Sequence, residues 1–190
     1  MNDYIRSVRK YVIDKTKAYM EEIDDYDFWN EHIKYVEYYA NELAERYHAD
    51  KEIVQLGALL HDIALVEKIG TRKDHHIQGA VLAEKILNDM NYDSDKTDRV
   101  KQCIVNHRSS KNAENIEDMC VADADILSHF ANIPMIFQVE FLLQKKNLRE
   151  VKAGLRQSLQ SDYDDLSEQT KKWFKEEYEN ILNVLIKEIE

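Results

Sequence analysis

The chain is poor in residues that interrupt regular structure. Its 190 residues include one proline, Pro134, and four glycines. It also lacks clear stretches in which Val, Ile or Thr alternate with polar residues, which is the usual pattern of half-buried strands. Hydrophobic residues nevertheless make up 44% of the chain, which is enough for a buried core. The composition therefore predicts an all-α fold, with helices joined by short loops in one compact domain, 1-190.

Cysteine and long apolar runs are also scarce, and the 26 basic residues are outnumbered by 37 acidic ones. Cys103 and Cys120 lie in apolar helical stretches, where buried reduced thiols are expected rather than a disulfide. The net charge of -11 argues against a DNA or RNA surface, because such surfaces are basic. No stretch approaches the roughly 20 apolar residues of a membrane span, and residues 1–17 contain no signal-peptide core. We therefore expect a cytoplasmic protein whose partners include no nucleic-acid polymer and no membrane.

A His-Asp doublet, His61 and Asp62, interrupts the otherwise apolar run Val54–Val66. Such a run is typical of a helix that is buried on most of its sides. An imidazole and a carboxylate placed there cost free energy unless something compensates them. A divalent metal would do so, since it binds neutral imidazole nitrogen and ionised carboxylate oxygen together. The alternative is a buried, hydrogen-bonded His–Asp pair without a metal.

Acidic residues predict where two of the helices begin. Residues 24–27 predict a turn that ends in a helix cap, followed by a strong helix over 28–47. Asp50 predicts the cap of the next helix, which carries the doublet near its C-terminal end. His32 lies on the flank of the apolar stripe of the helix over 28–47. From there it can face the interior of the protein.

Further residues with metal-binding side chains follow along the chain. Taken singly, each histidine is more often a surface or core residue than a ligand, so the order and setting of the set carry the signal. Each member lies beside an apolar stripe or at a helix end that can face a common pocket: His32, the doublet, the pair His75 and His76, His107, and the acids Asp123 and Asp125.

This ordered set resembles the HD-domain superfamily of metal-dependent phosphohydrolases, which is named for its His-Asp doublet. The matching segments are Trp29–Ile33, Leu59–Ile63 and Ala122–Asp125. The resemblance implies a helical bundle of the HD-domain type with a metal-binding core at 28-130. It leaves 131-190 as a C-terminal helical extension packed on that core.

The resemblance also implies four ligands for one divalent ion: His32, His61, Asp62 and an aspartate of the last segment. We prefer Asp125, because the residue four positions after it fits the family pattern better. Two positions along a helix correspond to about 200° of rotation, so Asp123 and Asp125 cannot both face one ion. Asp123 would then have a supporting or structural role. The ion could be Mn, Mg, Co, Ni, Zn or Fe.

Some relatives with extra histidines bind a second ion. Here His75 or His76, together with His107, could form that second site, with Asp62 as the bridge. Against it, His107 could instead stabilise the C-terminus of its helix as a cation. His129 lies four residues after Asp125 on the same helical face, so it could support the ligands, but core packing is the favoured interpretation.

Two histidines and two aspartates leave positions on an octahedral ion for water and a substrate oxygen. Such an ion lowers the pKa of bound water and offsets phosphate charge. Asp62 is the candidate catalytic base, or else it only coordinates. The set predicts a metal-dependent phosphohydrolase, a phosphomonoesterase or phosphodiesterase, that acts on a small phosphorylated molecule such as a nucleotide. The candidate phosphate contacts are Arg108, Arg72, Lys73 and Lys111.

Two other functions remain open for the same scaffold. One is a non-catalytic sensor that binds a nucleotide and a metal, and the other is a di-iron oxygenase, which would require the extra histidines. The apolar stripe of the last predicted helix favours core packing, with a homodimer interface as the alternative. That stripe consists of Phe174, Tyr178, Ile181, Leu182, Leu185 and Ile189.

Overall fold

The computed structural model describes residues 2–22 and 26–185, with 20–22, 142 and 143 as backbone only. Within these ranges the chain is helical and forms no strand, so the all-α prediction is confirmed. Positions 24 and 25 of the predicted turn, and Ile189 of the predicted last stripe, lie outside the described residues. No helix in the described ranges is both long enough and apolar enough to cross a membrane.

Ten α-helices follow one another in the described part of the chain. They are α1 (Asp3–Glu22), α2 (Lys34–Arg46), α3 (Lys51–Leu60), α4 (Ile63–Val66), α5 (His75–Asp89), α6 (Ser94–Asn106), α7 (Ile116–Ala131), α8 (Ile133–Gln138), α9 (Leu148–Asp165) and α10 (Glu168–Leu185). Two π-helical turns, Trp29–Ile33 and Val139–Leu143, precede α2 and follow α8. A short 3-10 turn, Ser110–Asn112, lies between α6 and α7.

Helices α3 and α7 form the centre of the bundle. Helix α3 packs against α1, α2, α6 and α7, and α7 in turn packs against α2, α6, α9 and α10. Leu56, Leu59 and Leu60 of α3 are completely buried. Burial of each such side chain contributes about 1.5–3 kcal/mol to folding. The doublet and the Asp123/Asp125 segment therefore lie on or beside the two most enclosed helices.

Side-chain caps begin several of the helices. Asp50 accepts hydrogen bonds from the backbone N–H groups of Glu52 and Ile53, as predicted for the start of α3. Asp27 accepts one from the backbone N–H of Asn30 at 3.0 Å. Asn147 and Glu150 form a capping box at the start of α9. The start of α9 was not among the helix starts predicted from the sequence, although Asn147 and Glu150 have the spacing of a capping box.

The run Val54–Val66 is not one continuous helix. Helix α3 ends at Leu60 and α4 begins at Ile63, with Asp62 at φ -106° and ψ 14° between them. In an unbroken helix, adjacent side chains diverge by about 100°. The break allows the two neighbouring side chains of the doublet to face the same pocket.

The C-terminal helices pack onto α7. Val151, Leu155 and Leu159 of α9 are buried, as are Phe174 and Tyr178 of α10. Along the predicted last stripe, Ile181, Leu182 and Leu185 pack partly buried against the core. Cys103 and Cys120 are both buried and free, which confirms the prediction of reduced thiols.

Candidate metal centre

Four side chains from three parts of the chain meet at one point beneath a cavity. The Nε2 atom of His32 lies 3.0 Å from Nε2 of His61, 3.5 Å from Oδ2 of Asp62 and 3.3 Å from Oδ1 of Asp125. The Nε2 atom of His61 lies 3.5 Å from the same oxygen of Asp62 and 3.7 Å from that of Asp125. We call these four residues the first cluster.

A second set of donors faces the other oxygen of Asp62. Oδ1 of Asp62 lies 3.2 Å from Nε2 of His75 and 3.8 Å from Nε2 of His107. The two imidazole nitrogens are 3.1 Å apart. We call Asp62, His75 and His107 the second cluster. The carboxylate of Asp62 therefore joins the two clusters, with one oxygen turned to each.

Hydrogen bonds orient the imidazole rings. The Nδ1–H groups of His61, His75 and His107 donate to the backbone carbonyls three residues earlier, those of Ala58, Arg72 and Ile104. In a neutral imidazole this arrangement leaves the lone pair on Nε2, which is the atom that faces the clusters. Backbone partners of this kind are typical of metal-ligating histidines.

Ser128 completes the same pattern for His32. Its hydroxyl donates to the backbone carbonyl of Asp125 at 2.6 Å and lies 3.3 Å from Nδ1 of His32. Because the hydroxyl proton is already committed, the serine oxygen is the acceptor and Nδ1–H of His32 the donor. The lone pair of His32 is thereby also directed to the first cluster.

The donor spacing fits bound cations. Donors held by one ion at about 2.1 Å stand about 3.0 Å apart at right angles and about 3.4 Å apart at tetrahedral angles. The separations within both clusters, from 3.0 to 3.8 Å, are close to these values. Two facing lone pairs at 3.0 Å would repel each other unless a positive charge, a proton or a metal ion, lies between them. The residues present therefore fit a divalent ion.

The electrostatic environment also favours positive charge at this point. Burial lowers the pKa of His61, but Asp62 and Asp125 raise it by more than burial lowers it, so the pKa is raised to about 9. Burial raises the pKa of Asp62, yet His61, His32 and His75 hold it well below its usual range. His107 behaves differently, because burial and the neighbouring His61 lower its pKa to about 4. It is therefore a neutral nitrogen donor.

A π-helical turn places His32 in the first cluster. Residues Trp29–Ile33 form this turn immediately before α2. Asn132, at the end of α7, donates from its side-chain amide to the backbone carbonyl of Glu31 at 2.8 Å. The turn is thus fastened to the helix that carries Asp125. π-Turns are rare and frequently occur at functional sites.

The two candidate aspartates of α7 face different surroundings. Asp125 lies in the first cluster, at the distances given above. Asp123 is completely buried and accepts hydrogen bonds from the Ser110 hydroxyl, the Ser167 backbone and hydroxyl, and the Thr170 hydroxyl. These bonds connect α7 to the turn before it and to the start of α10. The geometry therefore brings Asp125, and not Asp123, to the histidines.

The structure also separates the two adjacent histidines of α5. His75 belongs to the second cluster, whereas His76 has a buried Nδ1 atom with no hydrogen-bond partner in the described residues. Burial and nearby Arg108 lower the pKa of His76 below its ordinary value. Of the pair, only His75 reaches Asp62.

A cavity of about 610 Å³ opens above the clusters. Three of the four predicted phosphate contacts, Arg72, Lys73 and Arg108, line it. Lys111 is instead held in an ion pair with Asp165 at 2.8 Å, on the side of the 3-10 turn. The prediction for Lys111 is therefore corrected, because the loop that carries it turns toward the end of α9 rather than toward the clusters.

Several lining residues were not among the site residues predicted from the sequence. Tyr19, Tyr26 and Phe28 form an aromatic group. The ring centroids of Tyr19 and Tyr26 each lie 5.5 Å from the ring centroid of Phe28. His129, for which core packing was favoured, lines the cavity and forms an ion pair through Nδ1 with Asp162 of α9 at 3.1 Å. Its position four residues after Asp125 was a usable signal. Asp162 carried none, since nothing local distinguishes it from other acids of α9.

Comparison with known proteins agrees with this architecture. The family model described as HD domain matches residues 30–129. A crystal structure of a predicted HD superfamily hydrolase from an uncultured Thermotogales bacterium is similar over 90% of this chain and 91% of that one, with 24% identity and a TM-score of 0.58. The crystal structure of Bacillus subtilis YpgQ in complex with ADP is similar over 98% of this chain and 100% of that one, with 20% identity and a TM-score of 0.65.

No curated protein matches the chain at a significant level. At these identities the two solved structures establish the fold alone.

Proposed function

The chain belongs to the HD domain family, and from that premise we propose that it is a metal-dependent phosphohydrolase acting on a small phosphorylated molecule. The observation that carries the proposal is the pair of donor clusters that share Asp62 beneath a cavity with a cationic side. Buried histidines and carboxylates supply an ion site, and arginine and lysine side chains supply phosphate contacts.

We assign one divalent ion to the first cluster and a second ion to the second cluster. His32, His61, Asp62 and Asp125 would hold the first ion, and Asp62, His75 and His107 the second. Ions at such sites lower the pKa of water and offset the charge on a phosphoryl group. Asp62 has both oxygens turned to imidazole nitrogens, which favours coordination over proton transfer as its role.

The cationic residues lie on the side of the second cluster. Arg72 and Lys73 precede His75 in the chain, and the Arg108 guanidinium donates to the backbone carbonyl of Lys73 at 3.1 Å. This contact joins the two loops that carry the cations. A phosphate held there would be oriented toward Asp62 and its neighbours, and fixed orientation is a large part of catalysis of phosphoryl transfer.

The substrate we propose is a nucleotide. The cavity that carries the cations also has apolar and aromatic lining, which includes Tyr19, Tyr26 and Phe28, so it can take an organic group as well as a phosphate. YpgQ, whose fold is similar, was crystallised in complex with ADP. Both observations support a nucleoside phosphate over a phosphorylated protein.

The test is phosphate release from a panel of nucleoside mono-, di- and triphosphates. The protein is first freed of metal with EDTA and then supplied separately with Mn, Mg, Co, Ni, Zn or Fe. We expect turnover that depends on added metal and is abolished by His61→Ala. Binding of nucleotides, measured as a rise in melting temperature, without any turnover would instead indicate a non-catalytic sensor and overturn the proposal.

A di-iron oxygenase is the second candidate, because the histidines that it requires are present at the second cluster. Protein purified from iron-supplemented cells would then contain two iron ions and show a visible absorption band. Iron-dependent oxygen consumption with an organic phosphate, together with no phosphate release, would favour this candidate over hydrolysis.

A further inference from the structure

A second cavity, of about 380 Å³, adjoins the first at helices α8 and α9. Ile136, Ser158 and Asp162 line both cavities and form the boundary between them. Asp162 is the partner of His129, whose ring stacks on His32 with centroids 6.1 Å apart. The second cavity therefore begins directly beside the first cluster, whereas the cations Arg72, Lys73 and Arg108 line only the first cavity.

The lining of the second cavity is suited to an uncharged, hydrogen-bonding group. Gln157, Ser158 and Ser161 contribute an amide and two hydroxyls, while Ile136 and Leu155 contribute apolar surface. Its one lysine, Lys146, is paired with Glu140. A paired lysine contributes little net positive charge, so the lining does not favour a second phosphate.

Gly154 lines this cavity without contributing a side chain. It lies inside α9, and a Cβ atom added there would meet nothing within 4 Å. A glycine inside a helix costs about 0.5–1 kcal/mol relative to alanine. Close packing does not explain the glycine at this position, and its effect on the surface is to leave the space above the helix empty.

We propose that the second cavity is the specificity subsite, which takes the nucleoside part of the substrate while its phosphates lie at the metal clusters. This inference rests on the function proposed above and adds the part of the molecule that selects the substrate. Gly154, Gln157 and Ser161 are the residues that determine which nucleoside is accepted.

The test is to fill the cavity from α9. Gly154→Leu extends a side chain into the open space, and Ser161→Leu does so about two helical turns further along the helix. Ala153→Leu is the matched control, because it adds the same side chain to the same helix at an exposed position outside the cavity lining. Circular dichroism and thermal melts establish that all three variants are folded.

Steady-state kinetics with ATP, GTP, CTP and UTP are compared with kinetics on inorganic triphosphate, which has no nucleoside. Each blocking variant is expected to raise KM for the nucleotides at least about tenfold, and to leave kcat/KM for inorganic triphosphate within about twofold of the parent value. An equal loss on both kinds of substrate, or no change for the nucleotides, would overturn the subsite.

Failure of the hydrolase proposal is distinguishable from failure of the subsite. If the parent protein hydrolyses none of these compounds, ADP binding is measured by calorimetry instead. ADP binding at least about tenfold weaker in Gly154→Leu than in Ala153→Leu would still support the subsite. Equal affinities would refute it, independently of any activity.

Discussion

Asp123 and Asp125 are two positions apart on α7, and their different surroundings indicate different roles. Asp125 stands opposite His32 and His61, in a group of donors whose charges are balanced only when a cation is present. Asp123 has four hydrogen-bond donors at 2.5–2.9 Å and needs no cation. A carboxylate that accepts several hydrogen bonds in the interior stabilises the fold, but an uncompensated one serves a ligand.

Asparagine substitutions separate these two roles. We expect Asp123→Asn to lower the free energy of unfolding by about 2–4 kcal/mol, because an amide cannot accept all four hydrogen bonds. Its metal content should not change. Asp125→Asn should lose the ion of the first cluster and leave the stability of the metal-free protein nearly unaffected. Urea denaturation and metal analysis after dialysis measure both quantities. Metal loss in a stable Asp123→Asn protein would contradict this assignment.

His107 provides the test of the second cluster. Its Nδ1–H group donates to a backbone carbonyl, its pKa is lowered to about 4, and its Nε2 faces His75. We expect His107→Ala to reduce the number of bound ions from two to one, because the first cluster keeps all four of its donors.

The number of ions is measured by elemental analysis of protein dialysed against low concentrations of Mn. His48→Asn is the control, since His48 is exposed and has a positive φ of 56°, which asparagine tolerates. A single ion in the unsubstituted protein would contradict the second cluster.

At the scale of the elements, two local irregularities bring the donors together. The π-turn before α2 carries His32, and the break between α3 and α4 carries the doublet. Both interrupt regular helix where the chain passes the cavity floor. Around them the helices pack closely. A Cβ atom added to Gly57 of α3 would lie 3.0 Å from Cβ of Cys103 and 3.0 Å from Cγ2 of Val121.

This close approach predicts the effect of a methyl group. Gly57→Ala should destabilise the protein by about 1–3 kcal/mol, because α6 and α7 must both move away from α3. Gly154→Ala is the matched comparison, since nothing lies within 4 Å of its added Cβ atom, and it should stabilise the protein by about 0.5–1 kcal/mol. Both values come from urea denaturation of the metal-free protein. Equal effects at the two sites would contradict the packing described for α3.

For the molecule as a whole, the clusters are junctions between distant parts of the chain. The donors come from the turn before α2, the break after α3, the start of α5, the end of α6 and the middle of α7. A bound ion therefore cross-links the helices that enclose the core. Because the unfolded chain cannot hold these donors in place, ion binding stabilises the folded state preferentially.

Metal removal should accordingly lower the melting temperature. A ligand at one hundred times its Kd adds about 2.7 kcal/mol of stability, which corresponds to about 5–10 °C for a domain of this size. We expect EDTA to lower the melting temperature by about this amount and Mn to restore it. His32→Ala should show a smaller response, because only the second cluster keeps all of its donors. An unsubstituted protein indifferent to EDTA and to Mn would contradict a metal centre.

The helices and the chemistry of the site were accessible from the amino-acid order, because the signals are local. Helical periodicity located the buried stripes, Asp27 and Asp50 marked helix starts, and the polar doublet in an apolar run identified the candidate ligands. The choice of Asp125 over Asp123 came from a resemblance to a family, and the packing of α7 agrees with it.

Other features depended on how distant segments pack. The angles between α5, α6, α7 and α9 decide three contacts that the sequence alone does not specify. These are the contact of His75 rather than His76 with Asp62, the ion pair of His129 with Asp162, and the ion pair of Lys111 with Asp165. A shift of one residue along a helix changes the direction in which a side chain points by about 100°. The π-turn and the break at Asp62 also have no clear sequence signature. Residue order thus specifies which donors are available, while helix packing selects the ones that meet, because contacts across the core form only when separate helices are brought together.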